Sequence, residues 1–289
     1  MSDSIQWWDR SWNPVTGCTP VSEACEHCYA RTMHERFNKT PFSQVTPHPE
    51  RLDAPLHWRQ PRRVFVNSMS DLFHEQVPFE FIEKVFRSMW QAERHTYLIL
   101  TKRAERMRDC VKRLMSPALN PEKMLGSIWL GVTAENQEML DKRVPFLLQT
   151  PAAHRFLSLE PLLAQVLLPV SVCACGHSRG LHGDRPGDGG CRGARGTSTT
   201  LLCECRKLRG ELRSAIDQVF VGPETGPMRR RRVCNEEWIR SIVDQCKEAG
   251  VACYIKAFPV TTATTSKPRS WISHDPSEWP SWARVRELR

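Results

Sequence analysis

Cys18, Cys25 and Cys28 are spaced C-x(6)-C-x(2)-C inside the segment Trp12 to Ala30. Thiolates this close in sequence are metal ligands, and three of them leave a four-coordinate site one ligand short. An iron-sulfur cube held by three cysteines keeps one iron open, whereas structural zinc normally takes all four ligands from protein. The zinc alternative requires His27 or His34 as the fourth ligand. His27 lies within the short loop between Cys25 and Cys28, where its ring is expected to point away from an ion gripped by both neighbours. The favoured expectation is a 4Fe-4S cluster on Cys18, Cys25 and Cys28, with structural zinc completed by a histidine as the alternative.

A second group is denser still. Cys173, Cys175, His177, His182, Cys191, Cys203 and Cys205 place five cysteines and two histidines in 33 residues, in a stretch with few large apolar side chains. Cysteine and histidine in such a segment point to a closed zinc tetrahedron whose metal supplies the folding free energy. Seven candidates compete for four positions. The favoured set is His182, Cys191 and Cys203 with one of Cys173, Cys175 or His177. Arg179, Arg185, Arg192, Arg195, Arg206, Lys207 and Arg209 give this insertion a basic surface, and no base-reading finger pattern accompanies it. Cys110, Cys234, Cys246 and Cys253 are scattered, as buried bystanders are.

The elements that must position these groups alternate. Short β-rich runs fall at 63–67, 96–101, 127–133, 154–160, 218–222 and 252–256, with a first strand before Cys18. Amphipathic stretches fall at 79–94, 104–115, 136–148 and 235–249, with Pro78 as a start signal and Gly250 as a stop. Strand and helix in alternation mean a parallel sheet with helices packed outside it. The fold class read from this pattern is α/β, an incomplete parallel (β/α) barrel. Residues 1–169 form its N-terminal part with the cysteine loop, 170–212 the zinc-binding insertion, and 213–289 the C-terminal part and tail.

Polar residues follow every strand: Asn67, Ser68 and Asp71; Thr101, Lys102 and Arg103; Thr133, Glu135 and Asn136; Ser158 and Glu160; Glu224 and Thr225; Lys256. Parallel barrels bring such ends to one face, where their sites are built. Helix caps and turns account for some of them, Ser70 or Asp71 for example. The run from Gly222 to Pro227 either lets backbone approach a cofactor or makes an ordinary turn.

The cysteine loop resembles that of radical S-adenosylmethionine (SAM) enzymes, although their usual first gap is three residues and here it is six. The wider match is closer. Residues 12–18 (WNPVTGC), 66–74 (VNSMSDLFH), 100–103 (LTKR), 129–136 (WLGVTAEN) and 159–162 (LEPL) resemble a three-cysteine radical-SAM-like family of bacteriophages and bacteria, over most of the chain outside about 170–212. The resemblance implies a barrel of the radical SAM type, a 4Fe-4S cluster whose open iron binds SAM, and an electron donor such as a reductase. It also implies a 5′-deoxyadenosyl radical that takes hydrogen from a substrate. Glu135, Ser158, Glu160 and Glu224 are the candidates it suggests for the SAM shell. Lys102 and Arg103 are candidates for the SAM carboxylate or a substrate phosphate, with surface salt bridging as the competing role.

The chain has 289 residues, a formal charge of +9 and ten tryptophans. That charge and the unbroken run Arg229 to Arg232 favour an anionic partner, with nucleic acid or a nucleotide as the expected substrate. Trp7, Trp8 and Trp12 offer stacking faces or core packing. No apolar run reaches the ~18 residues that span a bilayer, and no secretion signal opens the chain, so the expected location is cytoplasmic. The function expected is a radical SAM enzyme. The alternative is a non-catalytic nucleic-acid-binding protein with two zinc sites, which leaves the strand-end residues without a role.

Overall fold

The computed structural model describes residues 7–115, 125–169, 215–225, 231–261 and 270–288. Its elements in order are β1 (Arg10–Trp12), β2 (Val15–Thr16), α1 (Tyr29–Phe37), β3 (Thr46–Pro47), β4 (Arg63–Val66), α2 (Phe79–Gln91), β5 (Thr96–Thr101) and α3 (Ala104–Leu114). There follow β6 (Ile128–Thr133), α4 (Gln137–Gln149), β7 (His154–Leu159), β8 (Gln218–Val221), α5 (Glu236–Ala249), β9 (Ala252–Ile255), β10 (Phe258–Thr261) and β11 (Ser270–Ser273).

Seven strands make one all-parallel sheet in the order β1-β4-β5-β6-β7-β8-β9. Sequential parallel order is what repeated strand-helix units produce. The sheet curls. Trp7, just before β1, packs its ring 4.2 Å from Phe220 of β8 and lies 5.1 Å from Lys256 Nζ just past the edge strand β9, while β1 and β9 do not pair. The fold is an α/β incomplete parallel barrel, as the strand-helix alternation predicts.

The strand period of two sorts side chains onto two faces. Val64 and Val66, Tyr97 and Ile99, Ile128, Leu130 and Val132, Leu157 and Leu159, Val219 and Val221, and Cys253 and Ile255 join the core under the helices. The residues between them, Phe65, Leu98, Trp129, Phe156, Phe220 and Tyr254, meet Trp7 in a second cluster on the other face.

The six strand runs and four helical runs read from sequence appear within a residue or two, except that α2 ends at Gln91. There the amide of His95 bonds the Ala92 carbonyl, and the turn leads straight into β5. The antiparallel pairs β2/β3 and β10/β11 are additions to the sequence reading. Trp7 and Trp12 are core residues, while Trp8 is half-buried at the cavity described below. Cys110, Cys234, Cys246 and Cys253 are buried free thiols. The zinc candidates Cys173, Cys175, His177, His182, Cys191, Cys203 and Cys205 lie outside the described residues. Among the described residues no helix is long and apolar enough to cross a membrane.

Candidate functional site

The C-terminal ends of the parallel strands open into one cavity of about 1160 Å³. Its wall includes all three N-terminal cysteines together with Asn67, Asp71, Thr101, Lys102, Arg103, Thr133, Ser158, Glu160, Glu224 and Lys256. Polar groups from six strand ends thus meet the cysteine loop on one face.

The loop is held from several sides. It leaves β2 through Gly17 at φ +86°, where an added Cβ would fall 2.1 Å from the Gln44 carbonyl oxygen, so only glycine fits. The Cys18 amide then donates to the Phe42 carbonyl at 2.8 Å. A short 3-10 turn, Glu23–Cys25, follows, and Cys28 is the residue from which α1 departs.

Beneath Cys18 lies a charged network. Asp71 accepts from the Thr101 hydroxyl at 2.7 Å and from the amides of Phe73 and Lys102 at 3.0 and 3.1 Å. Arg103, itself buried, donates to Glu75 at 2.9 Å, to the Thr19 carbonyl at 3.1 Å and to Cys18 Sγ at 3.6 Å, with Asp71 at 3.4 Å. His74 Nδ1 accepts from the Gln76 amide, so its Nε2 carries the proton toward the Thr19 hydroxyl at 2.8 Å. Burial pushes the Cys18 thiol up to about 11, Asp71 adds to the rise, and Arg103 opposes it. The same burial lowers His74 and keeps it neutral near pH 7.

A second network clamps the loop from β8. Buried Glu224 accepts from the Arg232 amide at 2.8 Å and from its guanidinium at 2.5 Å, while His27 Nδ1 lies 3.0 Å from the same carboxylate. Arg232 also donates to the Glu23 carbonyl at 3.0 Å and lies 3.5 Å from Glu26. Burial raises the Glu224 carboxyl, but the Arg232 and His27 hydrogen bonds hold it net below the usual range. Arg232 of the four-arginine run is therefore committed inside the molecule, while Arg229 and Arg230 lie outside the described residues.

The third group stands on the far wall. Lys256, at the end of β9, contacts the Glu160 carboxylate and lies 5.1 and 5.7 Å from the ring centres of Trp7 and Trp8. Desolvation pulls its ammonium down to about 7, against which the touching Glu160 carboxylate works.

Of the four residues suggested for a cofactor shell, Ser158, Glu160 and Glu224 line the cavity. Glu135 is not on its wall. It is fully buried and receives Arg143 at 2.8 Å, and Arg143 also donates to the Thr133 carbonyl at 2.7 Å. Burial raises Glu135 most, yet Arg143 and its hydrogen bonds bring it net below the usual carboxylate range. Lys102 and Arg103 both reach the wall, and the Arg103 guanidinium is held there by Glu75, Asp71 and the Thr19 carbonyl.

Nothing in the sequence sets Asn67 apart from the other strand-end residues. It is the one non-glycine residue at positive φ among the described residues, at 60°, and is 3% exposed. Neither amide atom of its side chain has a hydrogen-bond partner, although the residue lines the cavity. A buried amide costs free energy unless something pairs with it, and a strained backbone there is a feature of ligand sites. The signal in sequence was only that asparagine tolerates left-handed backbone.

Among the described residues no group of three or more His, Cys, Asp and Glu side chains is already drawn together as a metal-ion site. His27 turns Nδ1 to Glu224, which leaves its Nε2 without that partner, and His34 is buried with Nε2 2.9 Å from the Thr40 carbonyl.

No curated protein matches the chain. Among solved structures, a cysteine-to-serine mutant of spore photoproduct lyase aligns over 52% of this chain and 45% of its own, at 13% identity and a TM-score of 0.38. The chain thus spans about half the length of that structure. The model of one family, described as a protein of unknown function (DUF5131), matches residues 2–271, and the chain belongs to that family.

Proposed function

We propose that this protein is a radical SAM enzyme, with Cys18, Cys25 and Cys28 holding a 4Fe-4S cluster and a nucleic acid or nucleotide as substrate. The observation that carries the reading is that the three cysteines line the same cavity as the strand-end polar groups, and that this cavity is large enough for two ligands. Bound there, the cluster and SAM supply one-electron cleavage of a sulfonium and a carbon radical that abstracts hydrogen.

The chain's own part is binding and shielding. Arg103 sets positive charge against Cys18 Sγ, which favours the thiolate over the thiol once a cation replaces the proton. Asn67 offers two donors and an acceptor to a ligand, and Ser158 and Lys102 stand on the same wall. The aromatic floor of Trp7, Trp8, Phe65 and Tyr254 closes the cavity on the side away from the loop and excludes water from below. The substrate class rests on the +9 charge.

Anaerobic reconstitution with iron and sulfide, followed by electron paramagnetic resonance with and without SAM, tests this. The expected result is a brown protein whose reduced spectrum changes on adding SAM, with the chromophore lost in Cys25→Ala. Full iron and sulfide retained in Cys25→Ala, or zinc bound at these cysteines instead, overturns it.

A further inference from the structure

Helix α1 wears its side chains inside out. Its inward face is Ala30 and His34, at 4% and 7% exposure, packed toward Phe42. Its outward face carries Tyr29, Met33 and Phe37, at 50%, 48% and 72%. A helix on a protein surface ordinarily turns its apolar stripe to the core. Here the large apolar residues recur every fourth position on the solvent side, one above another along about 12 Å of helix.

The stripe begins at the site. Val21, Tyr29 and Met33 line the cavity mouth, and α1 departs directly from Cys28. The Tyr29 hydroxyl donates to the Ser68 carbonyl at 2.6 Å, which fixes its ring at the rim. Phe37, at the other end, has the Arg36 guanidinium 5.3 Å from its ring centre. Arg36 flanks the stripe and Lys39 follows it two residues beyond Phe37, while Arg31 lies on the opposite side of the helix and donates to the Glu26 carbonyl.

We propose that this outward face of α1 is a stacking platform for single-stranded nucleic acid, which runs along Phe37, Met33 and Tyr29 into the cavity mouth. Aromatic faces interleaved with cations bind a strand by stacking its bases while the cations meet its phosphates, and duplex bases are not free to stack this way. The proposal rests on the nucleic-acid reading of the substrate above and locates it on named residues.

The test is fluorescence anisotropy of short labelled single-stranded RNA and DNA, and of a duplex of the same sequence, at low and high salt. Phe37→Ala is expected to weaken single-strand binding about tenfold, Phe37→Tyr to restore it, and duplex binding to be weaker throughout. Arg36→Ala is expected to reduce the salt dependence. Unchanged single-strand affinity in Phe37→Ala, or equal losses for strand and duplex, overturns the platform. So does a fall in melting temperature in Phe37→Ala, which would mean the chain itself covers the stripe. A dimer that Phe37→Ala dissociates in sedimentation overturns it too. Run in parallel on reconstituted wild type and on Cys25→Ala, the assay separates the two ideas, since strand binding needs no cluster and the cluster spectrum needs no strand.

Discussion

The two faces of the curled sheet are built from the same strands and do opposite things. The face under the helices is aliphatic and continuous, with Val, Leu and Ile from every central strand packed on α2 to α5. The inner face is a small aromatic plug of Trp7, Phe65, Leu98, Trp129, Phe156, Phe220 and Tyr254. Aliphatic layers interdigitate and fill space, as helix-on-sheet packing demands. Among the described residues the inner face meets no second layer, so a few large rings fill the lower barrel and the strand ends above them are left to line a cavity. The contrast teaches that stability and shape are assigned to different faces.

Gly131 shows how closely the plug is made. It occupies the inner-face position of β6 between Trp129 and Thr133, and a Cβ there would lie 2.5 Å from ring atoms of Phe156. The Phe156 ring occupies the space that a side chain on β6 would take.

Three substitutions test the division. The largest effect is expected from Leu130→Ala on the helix-facing side, a fully buried position, at about 2–5 kcal/mol in urea unfolding. The folded fraction should still take up iron and sulfide; loss of cluster uptake in correctly folded protein would show that the outer face shapes the site as well. Gly131→Ala should cost about 1–3 kcal/mol through overpacking on Phe156. Phe156→Leu in the same chain should recover part of that cost, and additive losses in the double mutant would break the account of the plug.

The last effect concerns Lys256, whose ammonium burial lowers from 10.5 to about 7. Between those values the unfolded chain holds a proton that the folded chain has released, so this residue makes stability rise with pH across that window. The slope is at most about 1.4 kcal/mol per pH unit, and Glu160 reduces it. Lys256→Met should flatten stability between pH 7 and 10; an unchanged slope would assign the pH dependence to other groups.

Much of this was legible beforehand. The strands and helices carried clear periods, and the polar residues after each strand named the face on which a site is built. Which of those residues reach the cavity was not legible. Glu135 and Glu160 both follow strand ends, yet Glu135 turns to Arg143 on α4 and Glu160 to Lys256 across the barrel mouth. Arg232 read as one member of a basic run and proves to be the internal clamp of the cysteine loop. Pairings of this kind join residues far apart in the chain, and no local pattern announces them.

By itself the sequence determined the element order, the parallel sheet and the triad of cysteines, because hydrophobic period and ligand spacing are local properties. Only the tertiary structure decided that the sheet curls until Trp7 meets Phe220, that Asn67 is held at positive φ with its amide unpaired, and that α1 turns its large apolar side chains to solvent. Those depend on which surfaces remain once every strand has found its neighbour, and that is settled by packing over the whole chain.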